Sequence, residues 1–158
     1  MEARANYQKL ATMSVQALNA LDQTLENSPL GRTIIDLVRI RASQLNGDVF
    51  ALDLHSKEAK KHGEKEIRLY HLTLWRESNL FNERERAALE WTEILTHPDT
   101  VGAGDEDYEA LADELSEKEI VDLTLVISAI NAWNRLGIAF RPVPGSLDRV
   151  MGFDKLDR

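Results

Sequence analysis

The chain has 158 residues, of which 43% are hydrophobic and 29% charged, and its formal net charge is −8. That length carries one domain with a substantial core, the composition is ordinary for a folded globular protein, and the charge disfavours nucleic acid and anionic membranes as partners. Cysteine is absent, which removes disulfides, zinc–thiolate and iron–sulfur sites and every thiol nucleophile at once.

No apolar run approaches the ~20 residues of a membrane span. Met1-Glu2-Ala3-Arg4-Ala5-Asn6 has no apolar core of the signal-peptide kind, so a cytoplasmic protein is expected. The first helix is expected over Tyr7–Glu26, where Leu10, Met13, Ala17, Leu18 and Leu21 recur at helical spacing. Asn27-Ser28-Pro29 breaks it, with Ser28 as N-cap and Pro29 in the first turn of the second helix. That helix carries Ile34, Ile35, Leu37, Val38, Ile40, Ala42 and Leu45, a surface broad enough for a central element. Asn46-Gly47 closes it. A third helix runs from near Asp48 to His62-Gly63, with Lys57, Lys60 and Lys61 at its negative end. A fourth is expected over Glu64–Glu77, a fifth over Glu83–Leu95 and a short sixth over Glu106–Leu115. Ser116-Glu117-Lys118-Glu119 reads as a capping box opening the longest segment, Ile120 to Phe140. The remainder, 141–158, is polar and expected to be peripheral. No strand alternation occurs, so the class is all-α.

Two strings give the chain a family resemblance. One is Leu37-Val38-Arg39-Ile40-Arg41-Ala42-Ser43-Gln44-Leu45-Asn46-Gly47, followed by Phe50, Asp53, Leu54 and His55. The other is Glu119-Ile120-Val121-Asp122-Leu123-Thr124, running on to Ile130-Asn131-Ala132-Trp133-Asn134-Arg135-Leu136. Trp75-Arg76-Glu77-Ser78 and the stretch from Phe81 to Glu93 lie between them. Over roughly Leu30 to Phe140 the chain resembles the alkylhydroperoxidase D / carboxymuconolactone decarboxylase-like family. The resemblance implies one compact domain of about seven helices that assembles into a homo-oligomer.

The family's site pattern is Glu-x11-Cys-x2-Cys-x3-His, in which two thiols cycle to a disulfide while the carboxylate and imidazole relay protons. Laid on this chain it reads Asp36-x11-Asp48-x2-Ala51-x3-His55. Neither Asp48 nor Ala51 can attack a peroxide or form a disulfide, so thiol-peroxidase activity does not carry over.

Three readings of the remaining residues stay open. In the first, Asp48 is an N-cap, His55 a bonded interior histidine and Asp36 its partner, and the protein binds or only assembles. In the second, His55 is a general acid or base oriented by Asp36, with Asp48 exchanging a second proton, in cofactor-free catalysis on a small carboxylated molecule. Ala51, Asn131 and Asn134 would then line the substrate pocket. In the third, Asp36, Asp48 and His55 hold a metal, although no paired ligands on one helix support it. The residue types favour no metal and no cofactor. Arg39 and Arg41 are expected to pair with acids such as Glu77 or Glu93.

Overall fold

The computed structural model describes residues 2–100 and 102–156. Among the described residues there are helices and turns but no strand, and each expected helix is present. They run α1 (Tyr7–Leu10), α2 (Thr12–Leu25), α3 (Arg32–Asn46), α4 (Val49–Lys61), α5 (Glu66–His71), α6 (Glu83–Thr96), α7 (Asp105–Ala112), α8 (Glu117–Phe140) and α9 (Asp148–Met151).

Three boundaries differ from expectation. The first helix is interrupted at Ala11, whose φ of −128° and ψ of 45° are not helical. The fourth passes after His71 into a 3₁₀ segment, Leu72–Glu77, with Leu74 off helical geometry. The start of α3 lies beyond Ser28 and Pro29, because Gly31 with φ 84° turns the chain immediately before Arg32. The Ser28 hydroxyl is engaged elsewhere, donating to Asp122 Oδ2 at 2.6 Å on α8. Its oxygen still accepts locally, from the Leu30 N–H at 3.3 Å, but this bond closes a turn and not the first turn of α3.

α3 is the central helix, packed by α4, α6 and α8. One flank sends Ile34, Ile35 and Val38 into a core shared with Trp91, Ile94, Leu123, Val126 and Ile127. The other sends Leu37 and Ile40 against Leu72, Trp75, Phe81 and Leu89. Each such fully buried aliphatic side chain contributes about 1.5–3 kcal/mol of transfer free energy. Arg41 donates to Glu93 at 2.8 Å as anticipated, and Glu93 also accepts from Trp75 and Arg76. Arg39 pairs instead with Asp22 and Glu26 of the α2 region.

The capping box at Ser116 and Glu119 opens α8 as read from the sequence. By length and mean hydropathy α8 does match a membrane span, contrary to expectation. Yet it buries Glu119, Asp122 and Asn134, and each of these bonds within the domain. The final segment is also less peripheral than its polarity suggests. Phe153 is buried there, and α9 folds back toward α4.

Candidate functional site

The α3–α4 hairpin builds the site. Gly47, with φ 70°, ends α3 in the left-handed conformation that a glycine tolerates without strain. The next residue, Asp48, caps α4: its Oδ1 accepts from the backbone N–H of Phe50 at 3.1 Å and of Ala51 at 3.2 Å. Its Oδ2 accepts from Asn134 Nδ2 at 3.2 Å. α8 presses on this carboxylate so closely that a Cβ on Gly137 would lie 2.6 Å from Asp48 Cγ. Asp48 therefore occupies the first thiol position of the family pattern as a satisfied helix cap, and has no oxygen idle for proton exchange.

One turn further along α4, Ala51 is buried, and beyond it His55 faces a cavity of about 290 Å³. His55 Nδ1 lies 2.7 Å from Glu58 Oε2. Glu58 sits at i+3 on the same helix, the spacing at which side chains meet. Burial pushes the Glu58 carboxyl up, but the hydrogen bond from His55 and the charges of His55, Arg39 and His62 outweigh it and hold the group below the ordinary glutamate range. An ionised carboxylate only accepts, so Nδ1 is the protonated nitrogen facing Glu58, and whenever the imidazole is neutral the lone pair is on Nε2. Among the described residues Nε2 has no hydrogen-bond partner, and it is not sealed in the interior. It belongs to a side chain that lines the cavity, and no other described residue occupies it.

Arg39 forms the cavity's other charged wall. Its guanidinium lies 3.3 Å from Asp22 Oδ1 and 3.4 Å from Glu26 Oε1, and Asp22 Oδ2 accepts from Trp133 Nε1 at 2.7 Å. Tyr7, Phe50, Leu54, Leu147 and Met151 line it as well, with the amides of Gln8 and Asn19. Burial and the Asp48 charge both raise the Tyr7 hydroxyl above its usual value, so it stays protonated.

Asp36 is not part of this site. Its carboxylate is buried and accepts from His62 Nδ1 at 2.7 Å, beside a separate polar cavity. The hairpin explains why. Antiparallel packing about Gly47 sets the first half of α3 against the end of α4, and His62 lies two turns beyond His55, about 10 Å along the helix. The expected Asp36–His55 relay is thus replaced by two separate pairs. Asn131 and Asn134 are also turned away from the cavity. Asn46 Nδ2 donates to both side-chain oxygens at 2.9 Å, Asn131 donates to Thr96 and Asn134 to Ser43. These bonds tie α8 to α3 and α6, and neither asparagine lines the cavity. Only Ala51 of the three expected pocket residues lines the cavity. No group of three His, Asp or Glu side chains among the described residues is placed to hold a metal ion.

Glu58, Asp22 and Glu26 escaped the sequence reading. The first was legible as a carboxylate one turn from the motif histidine. Asn19, Asp22 and Glu26 form an i, i+3, i+7 polar stripe on a helix otherwise judged by its leucines.

This fold and site define an all-helical protein whose family thiol positions are held by a cap and an alanine beside a histidine-lined cavity. The chain belongs to the carboxymuconolactone decarboxylase family, whose sequence model matches residues 13–93. It is similar to the uncharacterised protein YdfG of Bacillus subtilis (strain 168), 36% identical over 139 residues that cover 88% of this chain and 95% of that one. A crystal structure of an Agrobacterium tumefaciens protein of unknown function, a candidate antioxidant-defence protein of the AhpD type, superposes with a TM-score of 0.87. That pair is 37% identical and covers 90% of this chain and 98% of the other. An uncharacterised peroxidase-related protein from Silicibacter sp. TM1040 shares the fold, with a TM-score of 0.77 and 19% identity over 85% of this chain and 72% of that one.

Proposed function

We propose that this protein is a cofactor-free acid–base enzyme in which His55, held by Glu58, moves a proton to or from a small molecule bound in the cavity. One observation carries the reading: an imidazole held by a carboxylate at 2.7 Å, its second nitrogen without a partner, on a side chain that lines a cavity of about 290 Å³. A carboxylate that fixes tautomer and orientation while stabilising the imidazolium is the arrangement a general base needs. Redox chemistry on thiols is excluded by composition, since the whole chain has no cysteine.

The lining also bears on the substrate. Asp22, Glu26, Asp48 and Glu58 face the cavity against one arginine, Arg39, which is already paired. A carboxylated substrate would meet like charge, so an uncharged molecule with an acidic C–H or O–H fits better. The second reading, a non-catalytic binding protein, is favoured by the structural use of Asp48, whose two oxygens cap α4 and bond Asn134.

Deuterium uptake separates the two. Small ketones, lactones and their carboxylated analogues are incubated with the protein in D₂O and followed by proton NMR. The enzyme reading expects exchange with uncharged members and its loss in His55→Gln. Binding without exchange, or exchange that survives His55→Gln, contradicts it.

Assembly as a homo-oligomer is part of the proposal. Val121, Leu125 and Ile138 are exposed apolar residues of α8, and Leu10 and Met13 are more than four-fifths exposed at 81% and 84%. Light scattering is expected to give a mass above the 17.9 kDa of one chain. A monomer at micromolar concentration would contradict this.

A further inference from the structure

The roof of the His55 cavity comes from the end of the chain. α8 stops at Arg141, which takes the left-handed conformation at φ 51° and ψ 56°. Pro142, Pro144 and Gly145, with φ 78°, then redirect the backbone. The segment crosses back over α4, and Leu147 and Met151, four residues apart, line the cavity together with Leu54 and Phe50.

What holds the segment down is a stripe of α4 different from the one that carries His55 and Glu58. Gly145 N–H donates to Asp53 Oδ2 at 2.9 Å. Lys57 Nζ bridges Asp53 at 2.8 Å and Asp148 at 2.9 Å. Lys61 Nζ donates to the Met151 carbonyl at 3.0 Å and lies 5.8 Å from the centre of the Phe153 ring. Phe153 itself is buried, an apolar anchor at the far end. The ion pairs between anchor and turn are all partly solvated, so they hold weakly and weaken further with salt. A segment pinned by an apolar anchor at one end, a backbone turn at the other and a solvated clip between them can lift without disturbing the core.

We propose that residues 142–153 are a hinged roof over the cavity, clipped shut by Lys57, and that Leu147 and Met151 select which molecules reach His55. The ligand class that fits is a small amphipathic molecule, its apolar end under Leu147, Met151, Leu54 and Phe50 and its polar group toward His55 Nε2. This selectivity rests on the catalytic reading for its purpose, but not for its geometry.

Two measurements test it, and neither requires a known substrate. Lys57→Gln removes the clip and leaves His55 and Glu58 in place. Amide hydrogen exchange across 145–152 is expected to rise about tenfold, with α3 and α8 unchanged, and added salt should move the unmodified protein the same way. Met151→Ala enlarges the roof. Binding of benzyl alcohol and of 2-naphthylmethanol, read at the Trp133 indole signal, is expected to shift toward the larger alcohol by about fivefold to tenfold. Exchange that stays unchanged in Lys57→Gln overturns the proposal. So does a preference that Met151→Ala leaves as it was, including binding of neither alcohol to either protein. If His55→Gln abolishes deuterium exchange while Met151→Ala leaves probe preference unmoved, the roof fails and the catalytic reading stands. A moved preference with no substrate exchanging gives the reverse.

Discussion

Two imidazole–carboxylate pairs lie along α4, His55–Glu58 and His62–Asp36, each closed at 2.7 Å. They share chemistry and differ in which partner is enclosed. In the first, both side chains border the cavity, and the carboxylate is held below its ordinary range despite burial, through His55, Arg39 and His62. In the second, the Asp36 side chain is 3% exposed against 34% for His62. There burial pushes the Asp36 carboxyl above its ordinary range, against the bond and charge of His62 and the charges of Arg32 and Arg39. Identical bond lengths therefore say little about role. An ionised carboxylate behind an imidazole that faces a cavity makes a base, whereas a buried carboxylate behind an imidazole that faces solvent makes a pin between helices.

The largest expected effect tests that division of labour. His55→Gln should lower any proton-transfer activity by about 10²–10⁴-fold, the usual worth of a general base, while His62→Gln should leave it within a few-fold. Steady-state rates on any substrate found by deuterium uptake provide the check. Equal losses from both would merge the pairs into one relay.

A smaller effect concerns the floor of the cavity. Because α8 touches Asp48 at Gly137, Gly137→Ala should destabilise the fold by about 1–3 kcal/mol through overpacking. Asp48→Ala should suppress part of that cost in the double variant, so a double-mutant cycle from urea melts should show coupling. Additive losses would mean that helix and cap are not in contact.

The smallest effects are in pH dependence. Glu119, bonded by Arg84 and by Ser116, has its pKa lowered from 4.5 to about 2. Its folded value lies below the unfolded one, so its stabilisation is present above the unfolded value and lost as pH falls from about 4.5 toward 2. Glu58 contributes with the same sign. Asp36 contributes with the opposite sign: its folded value is raised above 3.8, so its ionisation costs stability as pH rises through that value. Urea melts across acid pH should therefore show Glu119→Gln losing its penalty at the acid end, and Asp36→Asn gaining relative stability as pH rises.

Much of this was legible in the residues themselves. Asn46-Gly47-Asp48 announces a helix end followed by a cap, and the motif spacing leads to His55. The partner of Asp36 was not legible, because it depends on which turn of α3 meets which turn of α4, a register that local sequence does not encode. Ser28-Pro29 resembles a helix start because its oxygen does accept from the Leu30 N–H, but Gly31 with φ 84° turns the chain before α3 begins at Arg32. The asparagines of α8 carry no mark showing whether they face a ligand or Asn46. The placement of Leu147 and Met151 is not legible locally: Val143, Leu147, Val150 and Met151 recur at helical spacing, but Pro142, Pro144 and Gly145 interrupt the run, and which face meets α4 depends on the long-range clip through Asp53 and Lys57.

The central claim is that Glu58, and not Asp36, fixes the His55 imidazole. Long-range nitrogen–proton NMR on histidine-labelled protein reads the tautomer directly. In the neutral imidazole the proton is expected on Nδ1 and the lone pair on Nε2 in the unmodified protein, with the same pattern in Asp36→Asn and a mixture of tautomers in Glu58→Leu. A His55 signature that changes in Asp36→Asn and persists in Glu58→Leu would contradict it.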